Sequence, residues 1–224
     1  MRLDRKNHIL GKISNDVFLK KYWQKKPLLI RDAIKNFKSP ITEKDLFRIA
    51  QNENAISRLI EFKRGIWQVK YGPFKKLDLP KKINTPWTIL VQNMNHHLPF
   101  AESFLNLFKF IPYARLDDLM VSFATKKGSV GPHFDSYDVF LFQAKGEREW
   151  KISEQKKFSL DKKSAIKIIT NFKVKNTWVL KPGDLLYLPP NVGHWGVSQS
   201  DDCLTYSIGF RAPGTFEIQS KFLD

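Results

Sequence analysis

Cysteine is almost missing from this sequence. Cys203 is the single one, which excludes an intramolecular disulfide and fits a reducing compartment. Long apolar runs are also missing: none approaches the ~20 residues that a membrane-spanning helix needs. Met1–Leu10 is charged and has no apolar signal-peptide core. These absences lead to the expectation of a soluble, cytoplasmic protein with no membrane role. Acid is scarce relative to base, with 38 Lys and Arg against 22 Asp and Glu, and the formal net charge is +16. A balance of that kind suits weak, nonspecific contact with RNA, where lysines neutralise phosphates. The same excess also describes a merely solvated surface, because the lysines are spread along the chain. Repeats and low-complexity segments are absent. Hydrophobic residues make up 42% of the 224 residues, enough for the core of one large domain and too many for general disorder.

The pattern along the chain predicts helices early and strands late. Ser14 or Asn15 caps a short helix through Val17, Phe18 and Tyr22, closed off by Pro27. Leu28–Ile30 reads as a short strand. Thr42, with Glu43 and Asp45 just inside, starts a second helix that runs to about Ala50. A third is expected over Phe100–Phe110, before Pro112. Strands are predicted at Ser57–Phe62, Trp67–Lys70, Trp87–Gln92, Leu119–Ala124, Asp138–Ala144, Glu149–Ser153, Thr177–Leu180, Leu185–Leu188 and Leu204–Phe210. They are short, rich in aromatic and β-branched residues, and separated by Gly, Pro, Asn or Asp turns. That spacing points to an antiparallel sandwich or barrel with an N-terminal α+β elaboration. Lys156–Lys175 has no readable period and is expected to be a loop.

The segment Gly131-Pro132-His133-Phe134-Asp135 carries the clearest chemistry. On an extended strand, His133 and Asp135 point to the same face. His194, framed by Pro182-Gly183-Asp184, Leu185–Leu188 and Pro189-Pro190, supplies a third donor. Two histidines and one carboxylate form the facial set that holds Fe(II) and leaves three positions open. An isolated His-x-Asp would mean little; the frame around His194 raises its weight. His8, His96 and His97 have no such frame. Phe123, Phe134, Phe140, Phe142, Trp150 and Trp195 are candidates for shaping a cavity, with Trp195 the best placed beside His194, although core packing is the commoner role.

The run from Gly131 to Trp150, with Asp117–Phe123, Pro182–Pro190, Ser207–Pro213 and Tyr22–Leu28, closely resembles the JmjC-type ribosomal oxygenases, in particular their bacterial branch. The resemblance spans nearly the whole chain. It implies a double-stranded β-helix of the cupin/JmjC jelly-roll kind, with 1–115 as N-terminal elaboration, 116–214 as core and 215–224 as tail. It implies Fe(II), 2-oxoglutarate as co-substrate and O2. The implied partner is a large-subunit ribosomal protein, met free or on an assembling particle, with hydroxylation at an arginine β-carbon. Full-length members continue into a helical dimerisation region and a winged-helix domain, which this chain is expected to lack, so oligomeric state stays open. The resemblance places the basic residue for the co-substrate's far carboxylate at Arg148, with Ser122 adding a hydroxyl. A planar guanidinium fork suits that carboxylate. Arg211, after the last strand, is the competitor. Tyr137 and Asp138 are candidates for contacting the substrate, Asp138 because a guanidinium needs a carboxylate; it is equally a strand-start residue. Two alternatives stay open: a 2-oxoglutarate oxygenase acting on histidine, asparagine or another protein, and a non-catalytic ribosome-associated cupin. A metal-binding cupin outside the oxygenases usually has histidine where Asp135 stands.

Overall fold

The computed structural model describes residues 8–80 and 86–211. The expected tail at 215–224, and Ala212-Pro213, lie outside the described residues. In chain order the elements are α1 (Asn15–Lys21), β1 (Leu28–Ile30), α2 (Glu43–Ala50), β2 (Ser57–Lys63), β3 (Ile66–Tyr71), β4 (Trp87–Val91) and α3 (Pro99–Leu105). Then follow β5 (Leu116–Ala124), β6 (Asp138–Lys145), β7 (Arg148–Ser153), β8 (Asn176–Leu180), β9 (Leu185–Leu188), β10 (Gly193–Ser198) and β11 (Cys203–Phe210). The caps explain where the first two helices begin. Ser14 Oγ accepts from Val17 N–H, and Thr42 forms a reciprocal capping box with Asp45. The third helix is shorter than expected. It ends at Leu105 and tightens into a 3-10 turn, Asn106–Phe108.

Two antiparallel sheets face each other, as the cupin/JmjC expectation requires. The larger has the order β1-β9-β6-β11-β5-β4-β2-β3, the smaller β10-β7-β8. The early strands thus extend the large sheet instead of forming a separate body. One strand, β10, was not anticipated. Its sequence Gly-His-Trp-Gly-Val-Ser is short and glycine-interrupted, and pairing with β7 along six residues makes it a strand.

Strand alternation divides the large sheet into two faces. Leu119, Val121 and Phe123 of β5, Phe140 and Phe142 of β6, and Leu204, Tyr206 and Ile208 of β11 pack in the main core with residues of the three helices, including Phe18, Leu46 and Phe104. The intervening residues Met120, Ser122, Val139, Leu141, Thr205 and Ser207 turn the other way and line a cavity. A smaller apolar cluster of Val139, Leu141, Trp150, Ile152, Leu180, Leu186 and Leu188 joins the two sheets. No helix among the described residues is long and apolar enough to cross a membrane.

Phe140 is fully buried and contacts the rings of Phe18, Phe108, Phe110, Tyr187 and Phe210. Phe140→Ala is expected to cost ~3–5 kcal/mol of stability. Thermal unfolding followed by circular dichroism should then show Tm lowered by on the order of 10 °C.

Candidate metal centre

His133 lies in the segment between β5 and β6, and His194 is the second residue of β10. Their backbones form an isolated antiparallel bridge. His133 N–H donates to the His194 carbonyl at 3.0 Å, and His194 N–H returns the bond at 2.7 Å. The bridge sets the two imidazoles side by side, with ring centroids 4.2 Å apart. Asp135 follows two residues after His133, and its carbonyl accepts from Asn191 N–H at 2.7 Å. That bond ties the carboxylate's segment to the turn before His194. One ligand atom from each of His133, Asp135 and His194 can be chosen so that all three lie within 4.8 Å of one another.

The ring nitrogens are sorted for this task. His133 Nδ1 lies 2.9 Å from the Gly131 carbonyl, and His194 Nδ1 lies 3.0 Å from the Val192 carbonyl. Assigning the hydrogens from these partners puts a proton on each Nδ1 and leaves each Nε2 lone pair open. Burial, reinforced by His133, pushes the His194 pKa down to about 4, so its ring is neutral at neutral pH. Asp135 Oδ2 stands 3.6 Å from His194 Nε2. Gly131 makes the turn into this segment at φ +78°, and an added Cβ would sit 2.5 Å from Ile168 Cδ1. The donor set and its geometry therefore fit a divalent ion held on one face.

The three donors open into a cavity of about 390 Å³. Arg148, the first residue of β7, lines it and is only 3% exposed. Its Nε donates to Cys203 Sγ, while its Nη2 has no hydrogen-bond partner among the described residues. A buried, unsatisfied guanidinium nitrogen is costly unless an anion completes it. Ser122, also buried, lines the same space, and among the described residues its hydroxyl makes a long 3.5 Å contact to the Thr205 carbonyl. Arg148 and Ser122 thus meet the chemistry of a small dicarboxylate. Arg211 differs: its side chain is 66% exposed and its Nε is already paired to Asp117 Oδ2 at 2.8 Å.

The other expectations divide. Tyr137, Phe134 and Trp150 line the cavity. Burial, then Asp135, raises the Tyr137 pKa, so its hydroxyl keeps its proton. Asp138 does not line the cavity. It alternates to the other face of β6, fully buried, where it accepts from Tyr187 Oη and Gln24 Nε2 and has Arg115 Nη2 at 3.7 Å. Its candidacy as a substrate contact is corrected to an internal anchor of the N-terminal segment. Trp195 likewise points away from His194; its Nε1 donates to Ser129 Oγ at 3.0 Å. Phe123, Phe140 and Phe142 belong to the core. His8, His96 and His97 are not among the cavity's lining residues.

Sequence reasoning missed several lining residues. Asp118 is one, and the signal was present: it shares the face of Ser122 by strand alternation. It is largely buried, its pKa is raised by that burial, and its Oδ2 accepts from Asn93 N–H. Asp117, Arg58 and Tyr71 also line the space, as do Ala165, Ile166 and Lys167 from the expected loop. The loop residues carry no periodic signal.

Residues 103–218 match the JmjC domain family. The chain is 40% identical to a probable ribosomal oxygenase of Haemophilus influenzae, over 90% of this chain and 50% of that protein. It is 39% identical to the ribosomal protein uL16 3-hydroxylase of Escherichia coli, over 92% of this chain and 55% of that one. The chain therefore spans about half the length of these curated relatives. Among solved structures, it is similar to YcfD, a ribosomal oxygenase from Escherichia coli, in complex with cobalt and 2-oxoglutarate. The TM-score is 0.84 and the identity 36%, covering 95% of this chain and 55% of that one.

Replacing either donor of the His133–Asp135 segment should remove the metal. His133→Ala and Asp135→Ala are each expected to weaken Co(II) binding more than ~100-fold, beyond the loss typical when a supporting residue is changed. Calorimetric titration checks this; stoichiometric, wild-type affinity in both variants would refute the ligand assignment.

Proposed function

This chain belongs to the JmjC domain family, and on that premise we propose that it is an Fe(II)- and 2-oxoglutarate-dependent oxygenase that hydroxylates a ribosomal protein. The observation that carries this reading is the coincidence, in one cavity, of the His133–Asp135–His194 set and the unsatisfied Arg148 guanidinium. The relatives support it, being described as ribosomal oxygenases, one of them acting on uL16. The reading extends to a cytoplasmic protein that meets its substrate free or on an assembling particle. Residues 116–214 would carry the chemistry and 1–115 would buttress them.

His133, Asp135 and His194 would hold the iron, and Arg148 with Ser122 would hold the far carboxylate of 2-oxoglutarate. Iron with this co-substrate and O2 supplies the oxidising power to place one oxygen atom in a substrate C–H bond. The residues' own work is positional. The main-chain bridge fixes the imidazoles before any ligand arrives, and the Nδ1 bonds keep both Nε2 atoms aimed at one point. Arg148 chooses a co-substrate with a distal anion and sets its length. Trp150, Val139 and Leu141 make an apolar wall that keeps water from the reacting carbon.

We infer an arginine side chain as the target. A guanidinium entering the cavity needs an anionic partner to offset desolvation. Asp118 is the buried carboxylate of the lining and replaces Asp138 in that role, with Tyr137 beside the path. Incubation with Fe(II), 2-oxoglutarate and purified uL16, read by tandem mass spectrometry, tests the assignment. One added oxygen on arginine is expected, and an oxygen on histidine or asparagine would overturn the arginine reading.

Three variants separate the two arginines and the acid. Arg148→Ala should raise the KM for 2-oxoglutarate by the equivalent of ~2–5 kcal/mol, because the partner carboxylate stays buried and unpaired. Arg211→Ala should change it little. Asp118→Asn should lower kcat/KM for the protein substrate and leave 2-oxoglutarate binding intact; steady-state succinate production distinguishes the two effects.

A further inference from the structure

Arg148 is held by a cradle that the reading above does not use. Its Nε donates to Cys203 Sγ at 3.4 Å. The same sulfur accepts from Gln143 Nε2 at 3.3 Å. Gln143 is fully buried, and its amide also donates to the carbonyls of Lys145 and Gly146 at 2.8 and 3.2 Å. Those carbonyls form the turn from which β7, and with it Arg148, begins. The Gln143 carbonyl oxygen accepts from Thr205 Oγ1 at 3.0 Å, and Thr205 lines the cavity. Gly146 lets the turn lie flat on β11: at φ +65°, an added Cβ would sit 2.7 Å from Ser200 Oγ and 3.1 Å from Cys203 Cα.

We propose that Cys203, supported by Gln143, is a positioning residue that orients the Arg148 guanidinium toward the distal carboxylate of the co-substrate. This rests on the oxygenase reading. The geometry gives the reason. A guanidinium can rotate about its last bonds, and binding one end of it fixes the plane of the rest. Here the Nε end is bound and the Nη2 end is buried without a hydrogen-bond partner among the described residues. The acceptor chosen is a thiol, which accepts only weakly. It fixes direction without neutralising the positive charge, as a carboxylate in the same place would. The full attraction of the guanidinium is left for the incoming anion. Gln143 supplies the second restraint by holding both the sulfur and the turn.

The test uses the full chain loaded with Co(II), without O2, titrated calorimetrically with two probes. One is 2-oxoglutarate; the other is 2-oxobutanoate, which keeps the chelating keto acid and lacks the distal carboxylate. Cys203→Ala is expected to weaken 2-oxoglutarate about five- to tenfold, the loss that one misdirected hydrogen bond produces. Its affinity for 2-oxobutanoate should be unchanged. Cys203→Ser, which keeps an acceptor, should recover most of the loss. Wild-type affinity for 2-oxoglutarate in Cys203→Ala, equal loss of both probes, or no recovery in Cys203→Ser would overturn the proposal. If the unaltered protein does not prefer 2-oxoglutarate over 2-oxobutanoate, the oxygenase reading fails first, and the positioning role with it.

Discussion

The two-residue alternation of the large sheet is the constraint on which the rest depends. Each of its central strands offers one set of side chains to the helices and the other to the cavity. The helical face is closed by aromatic packing around Phe18, Phe104, Phe140 and Phe142. That packing makes the sheet rigid. The opposite face can therefore carry polar groups such as Asp118, Ser122 and Thr205 in fixed positions without their own packing having to hold the strands. A shift of one residue in the register of β5 or β6 would exchange the two sets and put Phe123 or Asp138 where Ser122 or Val139 now stands.

The metal-binding set depends on a second, smaller contact. His133 lies outside any extended ladder, yet it is tied to His194 by two main-chain hydrogen bonds. Side-chain contacts alone would leave two imidazoles free to choose rotamers. Here the backbone brings them together, and the Gly131 and Val192 carbonyls orient the rings. The site is built at the meeting of the two sheets, which is also where the cavity lies. This economy has a consequence for charge. His194 is driven toward its neutral form by burial before any ion is present, which is the form that a metal requires.

Arg148 lines the same cavity as the three donors. Its burial with an open nitrogen is unfavourable for the protein by itself, and a ligand would relieve the cost. Arg211 shows the contrast, exposed and already paired with Asp117. The two residues carry the same side chain and both line the cavity, but their surroundings leave only Arg148 buried with an open nitrogen.

Much of this was legible in the sequence, for physical reasons. Short aromatic and β-branched runs can be little else than strands, and Ser14 and Thr42 mark helix starts by their capping chemistry. His133 and Asp135 share a face because they are two apart, and the frame around His194 identified the third donor. The sequence by itself therefore determined the sheet-rich class and the donor set, while Arg148 was singled out through the family resemblance. Tertiary structure decided the rest. Asp138 and Trp195 sit beside cavity residues in the chain, but alternation turns both away, and only the register of β6 and β10 reveals which way. The strand β10 exists because β7 pairs with it, not because its residues favour extension. The loop residues Ala165–Lys167 reach the cavity through chain reversal that has no local code. The Cys203–Arg148 contact joins residues distant in sequence, and nothing in either neighbourhood announces it. Local propensity and period are read along the chain; partnership across sheets is set by packing, which the chain states only when folded.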